Sequence, residues 1–329
     1  MEASFIHHAL DAAGPQAATI ARLWWLTLAI CGAVFVAVLV ALVVALVRGR
    51  VARGENASME PDLSSLTTPE KGMVKTVTVA TFASAALLVV LVVASVFADR
   101  ALATLGLERA LHIQVTAHQW WWDVRYTGED RNDPSQIFAT ANELHVPVGR
   151  PVIVELNASD VIHSFWVPNL HGKKDLLPGQ TTTIALQADR AGTFRGFCAE
   201  FCGLQHAWMD FSVVAEPQDR FDAWAAQQRQ DAPEPTDAAA KRGRDLFLSG
   251  SCMLCHTIQG TPGGGRQAPD LTHVASRPSL GAGRLTNTPE NLAAWIRDPQ
   301  ALKPGVNMPP HPLPDADMSA LVAYLGTLK

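Results

Sequence analysis

The sequence predicts a multidomain membrane protein: a two-helix transmembrane hairpin, then an all-β sandwich, then an all-α domain. Three observations predict it. Two long uncharged apolar runs occupy the first hundred residues, β-branched and aromatic runs at short spacing fill the middle, and helical periodicity returns around Gly- and Pro-rich loops from Ala238 onward. The net charge of −5 over 329 residues averages over this contrast.

Leu23 to Val47 and Thr76 to Ala98 contain no charged residue. Each is long enough, at 1.5 Å per residue, to cross a hydrocarbon layer of about 30 Å. Arg48, Arg50, Arg53, Lys71 and Lys75 lie between the runs, against Arg22 alone before them, so the connection over residues 48–75 is expected on the cytoplasmic side of a hairpin spanning 23–98. Residues 1–22 are then extracytoplasmic. Their opening, MEASFIHHALDAAG, lacks the basic start of a secretory signal, which points to an uncleaved anchor. Cys31 in LAICG follows bulky Ile30 inside the apolar run, which argues against lipidation.

Residues 111–216 read as the β domain: HIQVTAHQWWWDVRY, ELHVPVGRPVIVELNA, TTTIALQA and DFSVVAE are strand-like runs broken by turn residues. Residues 217–237 read as one helix and a Pro-broken acidic linker, and residues 238–329 as the helical domain. The β domain carries twelve acidic against seven basic residues, the helical domain six against nine. Charges of opposite sign favour docking of one on the other.

FCAEFCGLQHAWM, residues 197–209, concentrates soft ligands in a chain of five cysteines. Gly203 and the flanking strands make Cys198, Cys202, His206 and Met209 one tight loop between two strands, and His163, at the end of PVIVELNASDVIH, supplies a second imidazole. Thiolate, thioether and imidazole together select copper, in the cupredoxin arrangement. Two thiolates in one loop can bridge two ions. A disulfide or a zinc site could use parts of the set, but neither accounts for Met209. His112, His118, His145 and His171 have no comparable partners and are expected to be structural or exposed.

AHQWWWDVRY, DVIHSFWVPNLHGKKDLLPGQ and CAEFCGLQHAWM resemble the aromatic box, first-histidine segment and copper-A loop of cytochrome c oxidase subunit II, over a stretch running from the first apolar run to about Glu216. The resemblance implies a dinuclear copper-A centre. Cys198 and Cys202 would bridge two coppers, His163 and His206 bind one each, and Met209 and the Glu200 backbone carbonyl act as weak ligands. It further implies a magnesium ion at the Glu200 carboxylate, electron input through Trp120, and Glu70 in TTPEKGMVK as a candidate for proton uptake. Where the family usually has tyrosine this chain has Trp121. For Trp121 and Trp122 core packing is the expected role.

SCMLCHTIQG carries the C-x-x-C-H signature of covalent haem c, with Cys252 and Cys255 as attachment points and His256 as the iron ligand. The context resembles a class I cytochrome c: a preceding helix, APDLTHV as a loop supporting the histidine, and a Pro-bounded methionine, Met308, as distal ligand. Met318 sits on the expected last helix, as a core residue, while His273 and His311 are expected at the surface.

The combined resemblance is to subunit II of a caa3-type oxidase in a bacterial plasma membrane, a proton-translocating oxidoreductase in which this chain moves electrons and does not itself reduce oxygen. The partners it implies are catalytic subunit I, subunit III, membrane lipid and an upstream donor, either a cytochrome c or a quinol-oxidising complex, rather than nucleic acid. An electron-input subunit of a copper-A nitric oxide reductase would share the loop. A copper-delivery or zinc-binding membrane protein would not need the haem motif.

Overall fold

The computed structural model describes residues 8–52, 71–102, 106–128 and 133–329. Glu70 and Arg53 lie outside them. The described residues form two compact units, one within 19–104 and one combining 8–18 with 106–329.

The first unit is the helical pair, α1 (Pro15–Ala52, whose first residues belong to the second unit) and α2 (Lys71–Leu102). Both are long and apolar enough to cross a membrane, with mean hydropathy of 3.2 and 2.6 over their most apolar windows and no burial of either window within the protein. Four hydroxyls in them are satisfied within the helix. Thr27, Thr76, Thr81 and Ser95 each donate to the carbonyl one turn back, as a lipid surround requires. The helices run past the uncharged cores into Arg48 on one side and Lys71 and Lys75 on the other, so the connection is shorter than residues 48–75.

The second unit begins with residues 8–18, which are fastened to the soluble part. Ala13 exchanges backbone bonds with Asn169 and Asp189, both 2.7 Å, and the Asn169 amide donates to the His8 and Asp11 carbonyls.

Ten strands follow: β1 (Leu111–His118), β2 (Trp121–Gly128), β3 (Phe138–Ala141), β4 (Glu143–Pro147), β5 (Val152–Ala158), β6 (His163–Trp166), β7 (Lys174–Leu176), β8 (Thr182–Leu186), β9 (Gly192–Cys198) and β10 (Asp210–Glu216). They make two five-stranded sheets, ordered β3-β2-β1-β5-β8 and β4-β10-β9-β6-β7. Strict alternation dictates the sandwich. In β1, Leu111, Ile113, Val115 and Ala117 are buried while the intervening residues are partly exposed. Trp122, Phe165 and Phe211 meet edge-on or stacked in the core, with centroids 4.7–6.1 Å apart.

Helix α3 (Gln218–Gln228) is the predicted helix of the linker region, and it packs on the sandwich. Phe221 and Ala225 are buried in the same core, and Trp224 stacks on His145 at 3.9 Å.

The C-terminal domain contains α4 (Ala238–Ser249), α5 (Cys252–Cys255), a two-residue pairing of β11 (Ser279–Leu280) with β12 (Leu285–Thr286), α6 (Pro289–Arg297), α7 (Pro299–Leu302) and α8 (Asp315–Leu325). Asp237 caps α4 by accepting from the Ala240 amide, and Thr288 caps α6 through Asn291. Phe247 of α4 meets Tyr324 of α8 edge-on in a core that also buries Ile258, Ile296, Met318 and Leu321.

Candidate metal and haem centres

Strands β9 and β10 pair antiparallel up to Phe197 opposite Asp210, so residues 198–209 form a loop closed at its base by the Cys198 amide donating to the Met209 carbonyl. A 3₁₀ turn at His206–Trp208 folds it back. Strand β6 pairs with β9, Phe165 opposite Cys198, which brings His163 to the loop from 35 residues away. The sequence-predicted ligands therefore converge.

The two sulfurs, Cys198 Sγ and Cys202 Sγ, stand 3.8 Å apart and both cysteines are free. A disulfide would need about 2.05 Å. His163 Nδ1 lies 3.8 Å from Cys198 Sγ, and the Glu200 carbonyl 3.2 Å from it. His206 Nδ1 lies 3.6 Å from Cys202 Sγ, and Met209 Sδ 3.8 Å from it. Each sulfur thus has its own imidazole and its own weak donor. Four donors around one zinc at about 2.0–2.3 Å would stand within roughly 3.8 Å of one another. Here His163, Cys198 and Cys202 lie within 4.8 Å of one another and His206 falls outside that group. The donor chemistry, thiolate, thioether and imidazole together, fits copper.

Asp160 completes the arrangement. Its Oδ1 accepts from His163 Nε2 at 2.8 Å, leaving Nδ1 as the ligand atom. Burial raises the Asp160 pKa, but hydrogen bonds from His163, Val161 and Gln119 outweigh it and hold the carboxyl below its ordinary range. The thiols share one charge readily. The hydrogen bond from Cys202 lowers Cys198 most, while that same contact and burial push Cys202 up, so a second negative charge waits for a cation.

Trp120 sits in the two-residue connection between β1 and β2, where His118 pairs with Trp121. Its indole Nε1 donates to the Cys202 carbonyl at 2.9 Å, and Gln119 Nε2 donates to the same oxygen at 2.7 Å. Trp122 is fully buried and donates to the Met209 carbonyl, and Trp121 stacks on His118 at 4.4 Å. The expected core packing holds for Trp122, whereas Trp121 is only partly buried and lies outside the core. His145 is likewise structural, bonded to Glu216 and stacked on Trp224.

In the helical domain, α5 is a single turn that presents Cys252 and Cys255, and His256 caps it. His256 Nδ1 donates to the Pro269 carbonyl at 2.7 Å, in the APDLTHV segment, which leaves Nε2 for iron. Burial lowers the His256 pKa and keeps the ring neutral, as ligation demands. Met308 and Cys252 pack against one core, whereas Met318 lies inside it, 3% exposed. One expectation is corrected: His273 is not a surface residue. It is buried, with Nδ1 bonded to the Lys329 carbonyl and Nε2 to that of Gln230. Asp160, Gln119 and Lys303 had escaped the sequence reading. An acid three residues before a ligating histidine was the available signal for the first.

The family described as cytochrome c oxidase subunit II, periplasmic domain, matches residues 111–216, and the cytochrome c family matches residues 240–329. The chain is 45% identical over 223 residues to cytochrome c oxidase subunit 2 of Alkalihalophilus pseudofirmus, covering 68% of this chain and 62% of that one. Identity to the protein of the same description from Bacillus sp. (strain PS3) is 38% over 231 residues, covering 66% and 62%. A crystal structure of the periplasmic domain of subunit II of cytochrome oxidase from Bradyrhizobium japonicum is 28% identical and covers 36% of this chain and 93% of that one, at a TM-score of 0.33. The matched stretch thus spans 62% of the length of these two curated relatives. The two domains imply copper A and haem c.

Proposed function

For a chain whose residues 111–216 belong to the cytochrome c oxidase subunit II family and whose residues 240–329 belong to the cytochrome c family, we propose electron input to a haem-copper oxidase. The observation that carries the proposal is the hydrogen bond from the Trp120 indole to the carbonyl of Cys202, a residue of the sulfur pair. Copper A and haem c, when bound, each store and release one electron.

The chain's own residues do the rest. Cys252 and Cys255 would attach the haem as thioethers, and His256 and Met308 would hold its iron. Cys198, Cys202, His163, His206, Met209 and the Glu200 carbonyl would hold copper A. Asp160 fixes the His163 ring, and Pro269 fixes that of His256. Trp120 would lead electrons from the haem domain to the sulfur pair. The exposed Glu200 carboxylate is the candidate for magnesium at the border with subunit I.

The apolar helices would anchor the chain beside subunit I in a bacterial plasma membrane, with subunit III, lipid and an upstream donor as further partners and oxygen reduced elsewhere. Fastening of residues 8–18 to the sandwich supports a hairpin whose two ends share one side. The names of the relatives favour oxygen over nitric oxide as the acceptor.

Metal and haem analysis of the purified full chain tests the proposal. It requires two coppers and one covalent haem per chain, with one unpaired electron shared by both coppers. One zinc in place of the coppers would refute it.

A further inference from the structure

The C-terminal domain lies directly against the copper loop, and one lysine joins the two. Lys303 follows α7 and is 1% exposed. Its Nζ donates to the carbonyl of Trp120 and to that of Gly281, each at 2.8 Å. Trp120 belongs to the β domain and Gly281 to the turn between β11 and β12 of the helical domain. A buried lysine nitrogen needs such partners, and these come from both sides of the boundary.

The neighbouring contacts repeat the pattern. Gln205 Nε2 donates to the Pro304 carbonyl at 2.7 Å, and the Asp210 amide to the Ala282 carbonyl at 3.1 Å. Arg284 lies over the Trp208 ring, 4.4 Å from its centroid, and Val306 packs against the sandwich core. Gly305 has φ of +89°, and a Cβ there would stand 3.4 Å from Trp120 Cη2, so glycine lets the backbone rest on the indole. Trp120 is left 7% exposed. Gln300 holds the stretch beyond it, accepting from the Gly305 amide and donating to the Val306 and Met308 carbonyls.

We propose that Lys303 is a positioning residue that fastens the Pro304–Val306 segment over Trp120, closing this indole to any separate electron donor and reserving it for the haem of the same chain. This deepens the proposed function and rests on it for the identity of the two redox centres. One electron leaves ferrous haem, which becomes ferric, and reduces the copper centre by one. No proton or bond moves at Lys303. Four residues of chain separate Lys303 from Met308, so the segment that seals Trp120 also leads to the candidate distal ligand.

The test uses the full chain in its oxidase. Lys303→Met keeps the length of the side chain and removes both donors, while Lys303→Arg keeps donors. Loss of one such buried bond shifts the docking equilibrium on the order of tenfold. Amides of residues 303–308 in Lys303→Met should therefore exchange with deuterium on the order of tenfold faster than in the native chain, with α8 unchanged. A ferrous soluble class I cytochrome c, used as probe, should reduce copper A in a phase that bypasses the haem. Lys303→Arg should reverse both effects. Unchanged exchange together with no bypass phase overturns the proposal. Should Lys303→Met fail to assemble, pulse oxidation of the native chain decides: Trp120 protected like Trp122 supports the clamp, and Trp120 labelled like Trp208 overturns it. Failure of the underlying reading looks different, as a native chain without haem or copper signals in which Trp120 is still protected.

Discussion

The Trp120 indole donates to the Cys202 carbonyl at 2.9 Å while the Trp120 carbonyl accepts from Lys303 at 2.8 Å. One residue is thus bonded to the sulfur pair through its side chain and to the helical domain through its backbone. Trp120→Phe keeps an aromatic ring but removes the first bond, which alone costs about 1 kcal/mol in stability. Both centres should assemble, and internal transfer should slow. Flash-induced kinetics check this, and an unchanged rate would leave Trp120 a packing residue.

Cys198→Ser or Cys202→Ser should abolish the dinuclear copper signal, because one sulfur cannot serve both halves of a site divided between His163 and His206. Haem attachment at Cys252 and Cys255 should survive. Paramagnetic resonance and copper counting read the result, and an electron still shared over two coppers would refute the assignment.

Met308→Ala should keep the haem attached, lower its potential and open the distal position. Met318→Ala should cost about 2–5 kcal/mol through the cavity it leaves in the core. Redox titration with thermal unfolding separates the two, and a larger potential shift at Met318 would exchange their roles.

Docking of the helical domain should tighten as pH rises. Burial lowers the Lys303 pKa from 10.5 to about 7, opposed by Asp210 and Cys202 and assisted by Arg284. Freed into water the amine titrates near its ordinary value, so between about pH 7 and 10.5 the open form binds more protons than the docked form. Opening, read by amide exchange at residues 303–308 corrected for intrinsic rate, should therefore fall by up to about tenfold per pH unit in that window and level off below it. Lys303→Met should remove this dependence. Opening that grows with pH would contradict it.

Much of the site was legible in the sequence because soft ligands are rare and local. Four of them sit within twelve residues, and C-x-x-C-H is contiguous. His163 was found through its strand-end position, since β pairing brings such a residue beside a loop. What stayed hidden depends on contacts across long separations. Lys303 reads as a solvated lysine until a carbonyl 183 residues away accepts its hydrogen bond. His273 reads as a surface residue until the Gln230 and Lys329 carbonyls bury it. The opposite net charges of the two domains say nothing of the place where they meet. Arg277 reads as a surface arginine, yet it is buried and donates to the Asp270 carbonyl.

The most direct test of the central claim is time-resolved transfer from haem c to copper A in the full chain. The account predicts that haem oxidation and copper reduction proceed at one rate, independent of protein concentration and nearly independent of salt, because the clamped domains need no encounter that ions could screen. A rate that rises with protein concentration, or that falls steeply with salt, would contradict it.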